Sequence, residues 1–178
     1  RIGPKYTNHK GFLMPHGFPS EHFDDSLHYK PKDTDIFVST YPKCGTTWTQ
    51  NIVYLILNDG VPLSPDQHMT EVFPHLEEVG CGALEKLIDP RLIKTHFPYE
   101  MTPMHENAKY IYVTRNPKDC VVSFFHHTRG FIKAYDYDNG NFDEYFDLFM
   151  EGKVDFGDYF DNLESWLKHR GDANILFL

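Results

Sequence analysis

Residues 35–58 read DIFVST–YPKCGTT–WTQNIVYLILN, and the fold turns on these three pieces. The first is a short apolar run with a β-branched character, the second a loop with one glycine and two hydroxyl residues, the third a run with helical spacing. A strand, a short loop and a helix in this order form an anion-gripping device. The first N–H groups of a helix have no partner within it, and the aligned peptide dipoles add partial positive charge there. Lys43 brings a full charge to the same place. The ligand of such a loop is an anion, and a nucleotide fits best.

The loop differs from a Walker A sequence, which needs G-x-x-x-x-G-K-[ST]. Here Lys43 precedes the only glycine, Gly45, and Thr46 and Thr47 follow at once. Taken alone, Gly-Thr-Thr also suits an ordinary strand-to-helix turn with threonine as cap.

Length and composition set the bounds. A chain of 178 residues with 40% hydrophobic and 16% aromatic residues can bury a sizeable core in one domain. A formal net charge of −9 argues against a nucleic-acid or membrane-surface binder, which would present a basic field. An anion site in such a chain is built locally, from a few placed cations. The 3 cysteines, Cys44, Cys81 and Cys120, have no C-x-x-C spacing, so neither a disulfide framework nor a zinc cluster is indicated. No run reaches the ~18 apolar residues of a membrane span. These features fit a reducing, cytoplasmic setting. The chain begins with Arg1, so an upstream targeting segment or anchor stays open. It ends on an apolar run, residues 174–178 (NILFL), read as a buried strand, and it is expected to be a fragment of a larger α/β unit.

Along the chain, residues 1–34 read as irregular, an N-terminal segment wrapped over the domain. Residues 35–40 form the first strand. In the helix that follows, Trp48, Ile52, Leu55 and Ile56 are expected to face inward. Residues 59–90 hold Pro62, Pro65 and Pro74 and suggest short helices and loops. Residues 91–95 (RLIKT) and 109–114 (KYIYVT) are further strands. Asn116 and Pro117 suit the cap and first position of a helix. Two aromatic stripes, one of Phe142, Tyr145, Phe146, Phe149 and Met150, the other of Phe156, Tyr159, Phe160, Leu163, Trp166 and Leu167, are read as core. Strands alternating with helices predict an α/β domain over residues 35–178, a central parallel sheet flanked by helices with P-loop-like nucleotide-binding architecture.

Two further strand ends carry chemistry. Arg115 stands at a strand's end and a helix's start. In open α/β sheets ligands lie at the carboxyl ends of strands, so Arg115 should face the crevice of Lys43. Ser123 lies two turns on. An arginine fork beside a hydroxyl suits a second phosphate, although a surface salt bridge to Asp119 is the plainer reading. Lys94 and His96 share one side of an extended segment that Pro98 keeps from becoming helical. A histidine beside a lysine at a strand end is a candidate general base. The adjacent His126 and His127 diverge by about 100° on a helix, which argues against a shared metal.

Together, Tyr41-Pro42-Lys43-x-Gly45-Thr46-Thr47-Trp48, then Lys94-Thr95-His96-x-Pro98, then Arg115-Asn116-x-Lys118-Asp119-x-x-Val122-Ser123 resemble the cytosolic sulfotransferases. Residues 149–157 (FMEGKVDFG) resemble a Phe-Met-x-Gly-x-Val-x-Tyr-Gly segment of that family, and the likeness runs from about residue 31 to 178. The family transfers a sulfuryl group from 3′-phosphoadenosine 5′-phosphosulfate (PAPS, leaving PAP) to a hydroxyl or amine of a small acceptor. The resemblance implies that Lys43, Cys44 through its backbone, Gly45, Thr46 and Thr47 hold the 5′-phosphosulfate, with Trp48 near the adenine. It implies that Arg115 and Ser123 bind the 3′-phosphate, that His96 takes the acceptor's proton, and that Lys94 stabilises the sulfuryl group. Acceptor contacts are expected from the N-terminal segment, with Phe18 and Phe23, from the stretch 73–78 (FPHLEE), with Phe73, His75 and Glu78, and from Lys94, Thr95 and His96. These imply an aromatic or lipophilic acceptor such as a phenol or steroid.

Sulfuryl transfer resembles phosphoryl transfer in depending on positioning and charge stabilisation. Sulfate carries less charge than a terminal phosphate, so no metal is expected. Cys44 stands where many family members have serine; a thiol at a helix N-terminus beside Lys43 is expected to be acidic and open to oxidation. The family continues beyond residue 178 with an adenine-contacting tyrosine and an Arg-Lys-Gly element. The C-terminal part of the domain is therefore expected to be missing, and with it any homodimer contact it carries. Competing readings are a P-loop nucleotide phosphotransferase, a non-catalytic nucleotide-binding module, and a family member whose sulfated product eliminates.

Overall fold

The computed structural model describes residues 3–178. It opens on a hairpin, β1 (Tyr6–His9) and β2 (Phe12–Pro15), paired antiparallel with His9 opposite Phe12. Lys10 and Gly11 turn the chain with φ of 52° and 95°, the two positive values that a tight hairpin demands. A helix, α1 (Ser20–Ser26), follows. The N-terminal segment is thus not irregular as expected: strands of four residues are too short for alternation to stand out from scattered aromatics. Its first two residues lie outside the described residues.

The centre begins with β3 (Ile36–Thr40), whose loop leads into α2 (Thr46–Leu57). Short helical turns α3 (Met69–Val72), α4 (Leu76–Val79) and α5 (Cys81–Leu84) lead to β4 (Leu92–Thr95). A 3₁₀ turn at Tyr99–Met101 precedes β5 (Lys109–Val113). Then come α6 (Pro117–Gly130), α7 (Ile132–Tyr135), α8 (Phe142–Met150), α9 (Tyr159–Leu167) and β6 (Ile175–Phe177). As expected, Asn116 caps α6, its side chain accepting from the Lys118 N–H at 2.9 Å, with Pro117 in the first position.

The main sheet is parallel throughout, in the order β4-β3-β5-β6. β3 is buried on both faces, as parallel strands are. Phe37 stacks on Tyr110 with ring centroids 4.8 Å apart, in a core that includes Ile93, Phe97 and Trp166. Val38 joins Val53, Phe73 and Leu92 on the other face. From β3 the chain runs out to β4 on one side and returns to β5 on the other. That reversal opens a crevice at the carboxyl end of β3, where α/β folds place ligands.

Several helix faces differ from the expectation. In α2, Thr46, Thr49, Gln50 and Val53 are buried, whereas Trp48, Ile52 and Ile56 are 75%, 43% and 72% exposed. The phase of the helix is set at its start, by Gly45 in the left-handed region (φ 96°), and not by the apolar period. The polar residues of the buried face are satisfied: Gln50 donates to the Phe73 carbonyl at 3.1 Å and Thr49 to that of Gly45 at 3.1 Å. In the two aromatic stripes, Tyr145, Phe149, Tyr159 and Trp166 are core, while Phe142, Phe146, Met150, Phe160 and Leu167 reach the surface. Phe156 is buried in the turn before α9. β6 is an edge strand, with Ile175 buried but Leu176 and Leu178 exposed, so residues 174–178 are not the fully buried strand expected.

At the amino ends of β3 and β4 lies a buried ion pair that the residue pattern did not reveal. Arg91 donates to both oxygens of Asp35, each at 2.7 Å, and the Tyr29 hydroxyl and Lys32 N–H also donate to Asp35, each at 2.9 Å.

Candidate active site

The crevice at the carboxyl end of β3 holds a cavity of about 660 Å³. Register explains which residues meet there. Val38 pairs with Lys94 and Ser39 with Thr95, so the next step sets His96 beside Thr40. Val113, at the end of β5, pairs with Thr40, and Arg115 follows two residues later. Three strand ends therefore converge on the loop of residues 41–45. Lys43, with φ 67°, and Gly45 take left-handed conformations that turn the chain sharply into α2.

Lys43 and Arg115 share one crevice, because Arg115 Nη1 donates to the Lys43 carbonyl at 3.1 Å. The surface salt bridge to Asp119 is absent from the described ion pairs. Lys43, Gly45, Thr46, Thr47, Trp48, Arg115 and Ser123 all line the cavity. Burial lowers the Lys43 pKa first, and neighbouring Arg115 lowers it further. Burial also lowers that of Lys94, against the pull of Glu77 and Glu78. Among the described residues no ion pair within 4.0 Å engages Lys43, Lys94 or Arg115. The crevice thus gathers three cations that no carboxylate pairs within 4.0 Å among the described residues, although Glu78 and Asp155 also line it, and an anion can bind against them.

His96 is held from three sides. Its Nδ1 donates to the Thr40 carbonyl at 2.8 Å. A carbonyl only accepts, so Nδ1 carries the proton and Nε2 keeps its lone pair. Its backbone N–H donates to Glu77 Oε1 at 2.6 Å, and its carbonyl accepts from Asn162 Nδ2 at 3.2 Å. Burial holds its pKa well below the ordinary value, with Lys94 and His75 adding to the shift. A neutral, oriented imidazole in a cavity is equipped to take a proton.

Other expected residues separate. His75 lines the cavity, with its ring 4.8 Å from that of His96, and Lys94 and Phe18 line it too. Phe73 does not: it is fully buried against Val38, Val53 and Leu92. Thr95 does not either, since its hydroxyl points into the protein and donates to Glu77 at 2.8 Å. Strand alternation explains this, because Lys94 and His96 face the cavity and Thr95 must face away. Phe23 belongs to the core around Phe97. Cys44 is buried with its thiol 3.8 Å from that of Cys120, packed beneath the loop instead of presented at the helix start. Its backbone N–H is turned to the Tyr41 carbonyl at 3.3 Å, away from the role expected of it.

The residue pattern missed several members. Glu77 is fully buried and ties the Thr95 hydroxyl and the His96 N–H to one carboxylate. His127 accepts from Lys43 Nζ at 3.4 Å, and burial followed by Lys43 lowers its pKa to about 4, leaving it neutral. Tyr135, Asp155 and Phe156 form part of the wall. His127 was separable from His126 by helical angle alone; Asp155 and Phe156 lie in the family-like segment 149–157 and Glu77 in the stretch 73–78, but their places at the cavity came only with the fold. Among the described residues no cluster of His, Cys, Asp or Glu could hold a metal ion, and no helix is long and apolar enough to cross a membrane.

Fold and site define a class: an open parallel α/β domain with a loop-and-helix anion site at its switch point and a neutral histidine in the same cavity. Comparison with known proteins narrows the class. The family described as the sulfotransferase domain matches residues 33–178, and the chain belongs to that family. It is 35% identical over 193 residues to dog sulfotransferase 1B1, covering 99% of this chain and 64% of that protein. It is 35% identical over 183 residues to mouse sulfotransferase 4A1, covering 98% of this chain and 62% of that one. The crystal structure of mouse sulfotransferase SULT7A1 complexed with PAP superposes with a TM-score of 0.77 at 30% identity, covering 98% of this chain and 61% of that one. The chain thus spans somewhat less than two thirds of the relatives it matches.

Proposed function

We propose that the protein transfers a sulfuryl group from PAPS to the hydroxyl, or amine, of a small aromatic or lipophilic acceptor. One observation carries this reading: Arg115 and Lys43, from different strand ends, meet in the cavity that also holds His96. Membership of the sulfotransferase family supports it.

The residues present suit the donor nucleotide. Lys43, Gly45, Thr46 and Thr47 would hold the 5′-phosphosulfate at the start of α2, where free N–H groups and the helix dipole add to the lysine charge. Arg115 and Ser123 would hold the 3′-phosphate, and the exposed Trp48 would cover the adenine. His96 Nε2 would take the acceptor's proton, since Nδ1 is committed to Thr40. Lys94 would sit beside the transferring group and Lys43 at the departing phosphate oxygen. This places cations where charge develops and a base opposite, the requirements of in-line transfer.

Calorimetry on the whole protein with PAP and with ATP plus magnesium tests the reading. Tighter binding of PAP supports it, and preference for magnesium ATP refutes it. Transfer of radiolabelled sulfate from PAPS to a panel of phenols and steroids then separates an enzyme from a binding module.

A further inference from the structure

Asp155 stands apart in this cavity. Its side chain is 1% exposed and lies on the cavity wall. One carboxylate oxygen, Oδ2, accepts from the Tyr135 hydroxyl at 2.7 Å. The other, Oδ1, has no hydrogen-bond partner among the described residues. Tyr6 packs edge-on against Tyr135, with ring centroids 5.9 Å apart. Burial raises the pKa of Asp155 to about 7 against the Tyr135 hydrogen bond, and among the described residues no lysine or arginine pairs with it. A buried carboxyl oxygen without a partner is unfavourable until a donor reaches it.

The chain holds this group firmly. Gly152, Phe156 and Gly157 adopt φ of 64°, 64° and 77°, and the Phe156 N–H donates to the Leu13 carbonyl at 2.8 Å, which pins the turn to β2. The Phe156 ring lies 4.9 Å from the His96 ring. Tyr135 leads back to the reaction centre by another route, its ring 5.9 Å from that of His127, which accepts from Lys43. His96, Phe156 and Asp155 line one cavity, so an acceptor with its hydroxyl at His96 has Asp155 on the wall of the same space.

We infer that Asp155, held by Tyr135, recognises a protonated amine on the acceptor, so that the preferred substrates are compact phenols bearing a cationic tail. This rests on the sulfuryl-transfer reading and names the acceptor class for the same site. An ammonium group supplies both the missing hydrogen-bond donor and the missing countercharge, whereas a neutral hydroxyl supplies only the first. The cations elsewhere in the cavity favour the donor nucleotide, so Asp155 is the feature that distinguishes one acceptor from another.

The test uses the whole protein loaded with PAP. Binding of tyramine and of 4-ethylphenol, which differ only by the amino group, is measured by calorimetry for the native protein and for Asp155→Asn. Asparagine keeps the shape and can still accept from Tyr135. The expected result is a preference for tyramine of about tenfold or more in the native protein, reduced to about twofold or less in the variant. Equal affinities in the native protein, or a preference that survives Asp155→Asn, overturn the inference. If the variant does not fold, the native protein alone decides: 4-hydroxyphenylacetate, with a carboxylate in place of the amine, must bind more weakly than 4-ethylphenol. Tighter or equal binding overturns the inference. PAP binding without any amine preference sinks only this proposal, whereas failure to bind PAP sinks the functional reading on which it stands.

Discussion

The two ends of the same pair of strands treat buried charge in opposite ways. At the amino ends of β3 and β4, Asp35 and Arg91 form a two-pronged pair, and Tyr29 and the Lys32 N–H add further donors to the carboxylate. At the carboxyl ends, Lys43, Lys94 and Arg115 gather around one cavity, and the described ion pairs include none of them. The first end is electrically complete without a ligand. The second leaves its three cations without a paired carboxylate among the described residues. A closed buried pair holds strands together; an open set of cations is a site, where burial first and a neighbouring cation second lower the pKa values of both lysines.

The largest effect should come from the open end. Replacing His96 by Ala is expected to lower sulfuryl transfer by ~10²–10⁴-fold, the usual contribution of a positioned base, while PAP affinity holds. Steady-state rates alongside calorimetry check this, and parallel loss of both would show His96 to be structural. The closed end should answer in stability instead. Arg91→Ala leaves Asp35 buried without its countercharge and should cost about 3–5 kcal/mol in denaturant unfolding. A cost below about 1 kcal/mol would mean that the two ends do not differ as described.

Smaller effects sharpen the contrast. The acid limb of kcat/KM should fall below pH 6.5, because only neutral imidazole accepts a proton and burial holds His96 well under its ordinary value. A half-point at or above pH 6.5 would contradict the burial described. Trp48, 75% exposed, should contribute little to folding. Trp48→Ala is expected to change stability by less than about 0.5 kcal/mol and to weaken nucleotide binding. Thermal unfolding with and without PAP separates the two readouts.

How much of this could be read from residues alone follows the same division. The open end was legible, since a lysine and a glycine before two threonines, an arginine before a capped helix, and a lysine two residues before a histidine are local patterns at strand ends. The parallel sheet and the meeting of Lys43, Arg115 and His96 in one cavity followed from them. The closed end was not, since Asp35 and Arg91 are 56 residues apart and nothing local links them. Glu77 and Asp155 were hidden for the same reason, as each acts through partners distant in sequence. Phe73 and Thr95 were misplaced because motif neighbours alternate across a strand or sink into the core. The face of α2 was misjudged because its apolar stripe points outward while hydrogen bonds satisfy a partly polar buried side. The N-terminal hairpin escaped because its strands are too short to display a period.

The central claim is that cations from two strand ends, Lys43 and Arg115, serve one nucleotide with phosphate at both ends. It is tested most directly by the affinity of PAP and of adenosine 5′-monophosphate, which lacks the 3′-phosphate, for the native protein, Lys43→Ala and Arg115→Ala. The account predicts that each substitution weakens PAP by about tenfold or more, and that Arg115→Ala removes most of the advantage of PAP over the monophosphate. Equal affinity of the native protein for the two nucleotides, or a PAP advantage untouched by Arg115→Ala, would contradict it.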